Sequence, residues 1–342
     1  MTRFCRRHLL LGIMGSSLGS LLPRSARAQR KVEVSAQTQQ AIDRGLAWLA
    51  KRQTEEGAFG ASGYPKNVAV CSLAGLAFLA SGSTPGRGAY GEVIRKIVRY
   101  VLESRDERGF LCRLPYASHG PMYEHGFATL LLAEVYGMMP GEETHEVLRK
   151  AVRVIISSQN DDGGWRYQPD GREADISVTI CQVMALRAAR NAGVYVPSET
   201  IDRCIDYVKR CQNADGGFMY MLPGGPSRFP RSAAGVVALY SAGIYEGEEL
   251  TRGLDYLEQN KPRPEDFGRD THSMYGYYYS VQAMWQAGGE RWEKWYPAIC
   301  ELLVAKQQAD GAWPDMICNE YGTAMACTVL QMPNNYLPIF QR

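Results

Sequence analysis

Apolar residues recur along this chain at helical spacing in two alternating styles. In one, an apolar stripe is interleaved with charge: Ile201, Cys204, Ile205, Val208 and Cys211 alternate with Asp202, Arg203, Asp206 and Lys209, the pattern of a helix with one wet face. In the other, as in the stretch DISVTICQVMALRAARNAG from Asp175 to Gly193, apolar and small residues run nearly all round, the pattern of a helix buried on every side. A Gly-aromatic turn and a polar loop of about ten residues separate the two styles. Asp175 is the expected N-cap of its helix, and Gly82, Gly137, Gly193, Gly243 and Gly288 are the expected stops of the buried helices.

The unit is repeated. Four segments align without adjustment: Gln53 to Phe59 (QTEEGAF), Gln159 to Trp165 (QNDDGGW), Gln212 to Phe218 (QNADGGF) and Gln307 to Trp313 (QQADGAW). Each carries a Gly four residues after the Gln, at Gly57, Gly163, Gly216 and Gly311, and an aromatic two residues further on. Two degenerate copies fill the gaps: Ser104 to Phe110 (SRDERGF), aligned with its turn at Arg108, and the stretch around Phe267. The period of roughly 50 residues is that of a repeat array. One hairpin cannot bury its inner helix alone, so neighbours must stack. Six hairpins predict an all-α fold, an α/α toroid of inner and outer helix rings over residues 29–342; an open superhelix is the alternative.

Charge changes the picture at one end only. The net charge is +2, but Arg3, Arg6, Arg7, Arg24 and Arg27 all lie within residues 1–28, which hold no acid. The rest of the chain has 33 basic against 36 acidic residues, about −3, so a nucleic-acid partner loses its support. Arg6-Arg7 precede an apolar run from Leu9 to Leu22, too short to span a bilayer, which ends in Ala26-Arg27-Ala28. This predicts a cleavable twin-arginine-type signal over residues 1–28 and an exported, periplasmic or extracellular protein; a plain secretory signal is the alternative. No later run predicts a membrane span. The remaining cysteines, Cys71, Cys112, Cys181, Cys204, Cys211, Cys300, Cys318 and Cys327, are scattered without C-x-x-C spacing, which predicts free, mostly buried thiols and neither a metal nor a redox site. Disulfides are the alternative in an exported protein.

The Gln-x-x-x-Gly-(Gly/Ala)-aromatic turn between an outer and an inner helix resembles the repeat of squalene and hopene cyclases and, more loosely, of protein prenyltransferase β subunits. The resemblance covers about residues 36 to 332. It implies a toroid whose inner-helix N-termini line a central cavity, with the Gln and aromatic of each turn tying neighbouring hairpins together. The cyclase acid is an Asp-x-Asp-Asp run, and the matching stretch here, Asp175-Ile176-Ser177-Val178, keeps one aspartate. Asp161, Asp162 and Asp215 belong to the turns. The prenyltransferase zinc needs Asp, Cys and His. Asp175 matches the first, but Ser177 stands at the Cys position and Gly276 at the His position, with His272 one turn earlier. The Cys-Gly-Glu-Gln thioester run of complement-type toroids is absent. No cofactor or metal is therefore expected.

If inner helices begin at the cavity mouth, the candidate ligand-binding residues can be taken repeat by repeat. They are Asn67, then Tyr123, Glu124 and His125, then Asp175 and Ser177, then Arg231 and Ser232, then His272, Tyr275, Tyr277 and Tyr278, and finally Glu320, Tyr321 and Thr323. Tyrosines beside carboxylates suit a polar ligand, a small molecule, glycan or peptide. Asp175, Glu124 and His125 are the candidate catalytic groups of an alternative carbohydrate-active enzyme. For Glu124 and Asp175 the competing role is helix capping, and for the histidines a buried structural one. The expectation is an exported toroid protein that binds a polar ligand or partner in its cavity without established catalysis.

Overall fold

The computed structural model describes residues 33–267 and 272–341, and the expected signal segment lies outside them. The two styles of helix alternate strictly. Striped segments form α1 (Ala36–Arg52), α3 (Gly91–Leu102), α5 (Glu142–Ser157), α7 (Ser198–Arg210), α9 (Glu248–Gln259) and α11 (Gly289–Lys306). Uniformly apolar segments form α2 (Val68–Leu79), α4 (Pro121–Met138), α6 (Ile176–Asn191), α8 (Phe229–Ser241), α10 (Ser273–Ala287) and α12 (Asn319–Leu330). The stripe of α7 buries Ile201, Cys204, Tyr207 and Val208 and leaves the charged face wet. In α2 only Ala69 escapes full burial. Each inner helix packs on the next, from α2 through α4, α6, α8 and α10 to α12, and α12 returns to α2. The toroid is therefore closed, with six helical hairpins in two rings and no sheet, only isolated bridges, among the described residues.

The repeated glutamines close the outer ring. Each donates its side-chain amide twice, to the carbonyl of its own turn glycine and to a carbonyl of the next outer helix. Gln159 reaches Gly163 at 2.8 Å and Thr200 at 2.9 Å. Gln53 likewise bonds Gly57 and Val93, and Gln212 bonds Gly216 and Glu249. Gln307 bonds Gly311 and Ala41, both at 2.9 Å, so the last turn ties back to the first helix. Gly163 needs its lack of a side chain twice over: φ is +98°, and a Cβ would lie 2.2 Å from the Arg203 carbonyl oxygen.

The aromatic of each turn is held from inside. The backbone N–H two residues after the turn glycine is accepted by a side chain one turn into the inner helix: Phe59 by Cys71, Trp165 by Thr179, Phe218 by Ser232 and Trp313 by Thr323. The second repeat uses the same device one residue later than its sequence alignment. There Gly109, at φ +92°, packs against Lys150 of α5, and the N–H of Leu111 is accepted by His125 Nδ1 at 3.0 Å. The equivalent triplet is thus Arg105, Gly109 and Leu111, not Ser104, Arg108 and Phe110. The Phe110 aromatic made the wrong register attractive.

Four of the five expected stops adopt positive φ, Gly82, Gly193, Gly243 and Gly288. Gly137 does not, and α4 runs one residue past it. After α12 the chain crosses the C-terminal ends of the inner helices. Gln331 donates to Ala77, Asn334 to Ala80, and Trp285 to the Phe340 carbonyl, while Leu337, Ile339 and Phe340 are buried. The far end of the ring is thereby covered by the protein's own tail. All eight described cysteines are free, and seven are buried. Among the described residues no helix is long and apolar enough to cross a membrane.

Candidate functional site

The inner helices begin at the end of the ring opposite that tail, and their first residues surround a cavity of about 1210 Å³. Part of its wall is apolar, with Val70, Leu73, Phe127 and Phe229. Of the sequence candidates, Asn67, Tyr123, Ser177, Arg231, His272, Tyr275 and Tyr321 line it. Asn67 caps α2 through its side-chain oxygen and reaches the Tyr116 carbonyl at 3.4 Å. Tyr123 donates to the Ser177 hydroxyl at 2.9 Å, and Tyr275 donates to the Ser177 carbonyl at 3.1 Å. Burial raises the Tyr123, Tyr275 and Tyr321 phenols well above their ordinary range, so they act as neutral hydrogen-bonding groups.

Eight candidates do not face the cavity, and in each case the wall claims the side chain. His125 is fully buried, accepts from Leu111 and donates through Nε2 to the Ala151 carbonyl at 3.1 Å. It occupies the place that Thr179, Ser232 and Thr323 hold in other repeats. Burial pushes its imidazole down to about 4, so the ring is neutral. Glu124 accepts from the backbone and hydroxyl of Ser118 and from the Cys112 thiol, pinning the preceding loop. Asp175 is fully buried and caps α6, accepting from the N–H groups of Ser177 and Val178, both at 2.9 Å. Burial shifts both carboxyls upward. Tyr278 lies in the core edge-on to Tyr279, and Glu320 pairs with Arg52 at 3.1 Å. Ser232, Tyr277 and Thr323 are likewise buried behind the lining.

The structure adds residues that the helix-start argument passed over, because they sit on the loops before the inner helices. Tyr64, His119, Tyr167, Tyr220 and Arg228 line the cavity. Tyr167 and Tyr220 each follow the turn aromatic by two residues, and the same offset after Trp313 gives Asp315. Tyr167 and Tyr220 bond hydroxyl to hydroxyl, with the Arg166 guanidinium over both rings. Asp315 is half-buried and accepts from the Ile317 N–H. Burial lifts its carboxyl to about 6, against the opposing influence of His272 nearby. The repeat offset carried the signal for this position.

Polarity along the lining is uneven. It includes Arg228, Arg231, His119 and His272 and, among the described residues, no Asp or Glu. Arg231 donates to the Pro226 carbonyl at 2.8 Å, while its Nε is buried without a partner. Burial and then the neighbouring Arg228 push its guanidinium below the usual arginine range. Neither arginine forms an ion pair among the described residues. Two cations that repel each other, with a buried donor unmet, favour an anion between them. Nowhere among the described residues do three His, Cys, Asp or Glu side chains group as metal ligands.

With this geometry established, comparison with known proteins places the chain. Residues 100–277 match the squalene-hopene cyclase C-terminal domain. A drimenyl diphosphate synthase of Streptantibioticus cattleyicolor is 35% identical over 85 residues, 25% of this chain and 15% of that synthase. Among solved structures, the type II terpene cyclase MstE from Scytonema, in complex with geranylgeranyl dihydroxybenzoate, superposes with a TM-score of 0.62 at 14% identity, covering 88% of this chain and 98% of that one. An α-1,6-mannanase of Salegentibacter has the same TM-score at 8% identity, covering 87% and 99%. At such identities the structural likeness speaks for the fold alone. The family match spans more than half of the sequence, and on that ground the chain belongs to the squalene-hopene cyclase C-terminal-domain family.

Proposed function

We propose that this toroid binds an amphipathic small molecule, its apolar body against Val70, Leu73, Phe127 and Phe229 and its anionic head against Arg228 and Arg231. The observation that carries the reading is the lining itself, with two arginines, one with an unmet buried donor, and no carboxylate among the described residues. The expectation of a polar ligand is thereby narrowed, since the apolar part of the wall cannot satisfy a molecule that is polar throughout. The drimenyl diphosphate of the relative's name combines an apolar skeleton with an anionic head, the same two-part chemistry. Cyclisation by a carboxylic acid has no support at Asp175, whose Oδ1 caps α6 and whose side chain is fully buried behind the lining. A carbohydrate-active enzyme built on Asp175, Glu124 and His125 has as little, because all three are held in the wall.

Isothermal titration with hexadecanoate and its methyl ester tests the head-group assignment. The acid binds at least tenfold tighter than the ester, and Arg231→Ala removes most of that difference, in line with about 1.5–3 kcal/mol for a hydrogen bond to a charged group. Equal affinity for acid and ester contradicts the assignment. One observation favours a second reading, an enzyme whose acid is Asp315: its carboxyl, next in sequence to the lining residues Met316 and Ile317, is raised by burial to about 6 near His272. Turnover of any bound compound that disappears in Asp315→Asn, while binding persists, would establish it. Export by a twin-arginine-type signal remains part of the proposal. Its check is the N-terminal sequence of the mature protein, expected to begin at Gln29.

A further inference from the structure

Hydrogen-bond directions in the wall carry one step more. The Oδ1 atom of Asp175 accepts from two backbone N–H groups, those of Ser177 and Val178. It therefore presents lone pairs, and the Ser177 hydroxyl, 2.6 Å away, has to donate to it. A hydroxyl owns one proton, so the Ser177 oxygen can only accept from Tyr123, whose own proton is spent at 2.9 Å. Tyr275 spends its proton on the Ser177 carbonyl. This order holds whatever the charge on Asp175, because a proton there would sit on Oδ2, which has no hydrogen-bond partner and faces Arg166 at 3.7 Å. Both tyrosines line the cavity, and no donor among the described residues bonds to either hydroxyl oxygen.

We propose that Tyr123 and Tyr275, oriented by Ser177 and Asp175, form an acceptor pole in the lumen that selects a ligand carrying a hydroxyl donor in addition to its anionic head. The arginines recognise what accepts, and the tyrosines recognise what donates. The inference rests on the amphiphile reading. It assigns Asp175 a positioning role: its carboxyl fixes which way the hydroxyl chain runs and touches no ligand.

The test compares affinities of the mature chain for dodecanoate and hexadecanoate with those for 12-hydroxydodecanoate and 16-hydroxyhexadecanoate, two lengths so that reach is not the limiting variable. An apolar pocket penalises the added hydroxyl, whereas a built acceptor rewards it. At one length at least, the hydroxy acid binds about tenfold tighter than its parent. In Tyr123→Phe and in Tyr123→Phe/Tyr275→Phe the ratio of hydroxy-acid to parent affinity, read within each variant, falls stepwise toward unity, whereas a general loss of binding lowers both affinities and leaves the ratio unchanged. Parent acids that bind while both hydroxy acids bind no better overturn the acceptor pole and leave the amphiphile reading standing. If none of the four binds, both fall together.

Discussion

His125 shows how one repeat position decides a side chain's role. Its Nδ1 does for Leu111 what the hydroxyls of Thr179, Ser232 and Thr323 do for Trp165, Phe218 and Trp313. Losing both of its hydrogen bonds and its volume in His125→Ala should cost roughly 2–4 kcal/mol. His125→Thr keeps an acceptor in place and should recover about 1 kcal/mol of that. Denaturant midpoints check the ordering, and equal losses contradict it. The side chain's chemistry, a histidine near a cavity, pointed toward catalysis; its place in the repeat pointed toward structure and was the better guide. Asp175 was legible as a cap because it stands where the first backbone N–H groups of an inner helix need an acceptor; Glu124, expected to cap as well, instead accepts from Ser118 and Cys112 of the preceding loop.

Glu134 of α4 went unnoticed in the sequence, where it reads as one acid in an apolar run. It is buried, bonded to the Ile339 backbone, and pushed up by burial to about 8. Because its folded value lies above its unfolded one, its stabilisation is complete below about pH 4.5 and is lost as pH rises through 8. His125 acts in the opposite sense: its folded value is depressed, so its contribution is present above pH 6.5 and lost as pH falls through 4. The two slopes oppose each other between 4.5 and 6.5, leaving a decline of roughly 1.5–2 kcal/mol between pH 6.5 and 8. Urea denaturation of wild type and Glu134→Gln across that range decides it: the variant should lack the decline.

At the scale of elements, helix style was legible throughout, because burial on one face and burial all round leave different patterns. Turn registration was less so. The second repeat lost its Gln to Arg105 and its aromatic to Leu111, and the neighbouring Phe110 supplied a false anchor. What remained was Gly109, held by the same conformational demand as Gly163. Gly163→Ala forces both an unfavourable φ and a clash with the Arg203 carbonyl, and should cost about 2–4 kcal/mol. Gln159→Ala, which removes two hydrogen bonds to carbonyls, should cost about 1–3 kcal/mol. A Gly163→Ala protein as stable as wild type in thermal denaturation would contradict the turn assignment.

For the whole molecule, six repeats implied a ring, but closure became physical only through contacts between sequence-distant ends: Gln307 on Ala41, Gln331 on Ala77 and α12 against α2. The tail over the far end was not legible, since its short turns carry no helical period. Nor was the charge of the lumen, because Arg228 and the loop tyrosines meet only once the ring is formed. The central claim is that this ring encloses an anionic amphiphile, and the most direct measurement is mass spectrometry of what the mature protein retains when purified from its native host. The account predicts a single class of compound at near-stoichiometric amount, with one acidic head, an apolar body and a hydroxyl, largely lost from the Arg228→Ala/Arg231→Ala double variant. A retained glycan or peptide, or a neutral lipid kept equally by that variant, would contradict it.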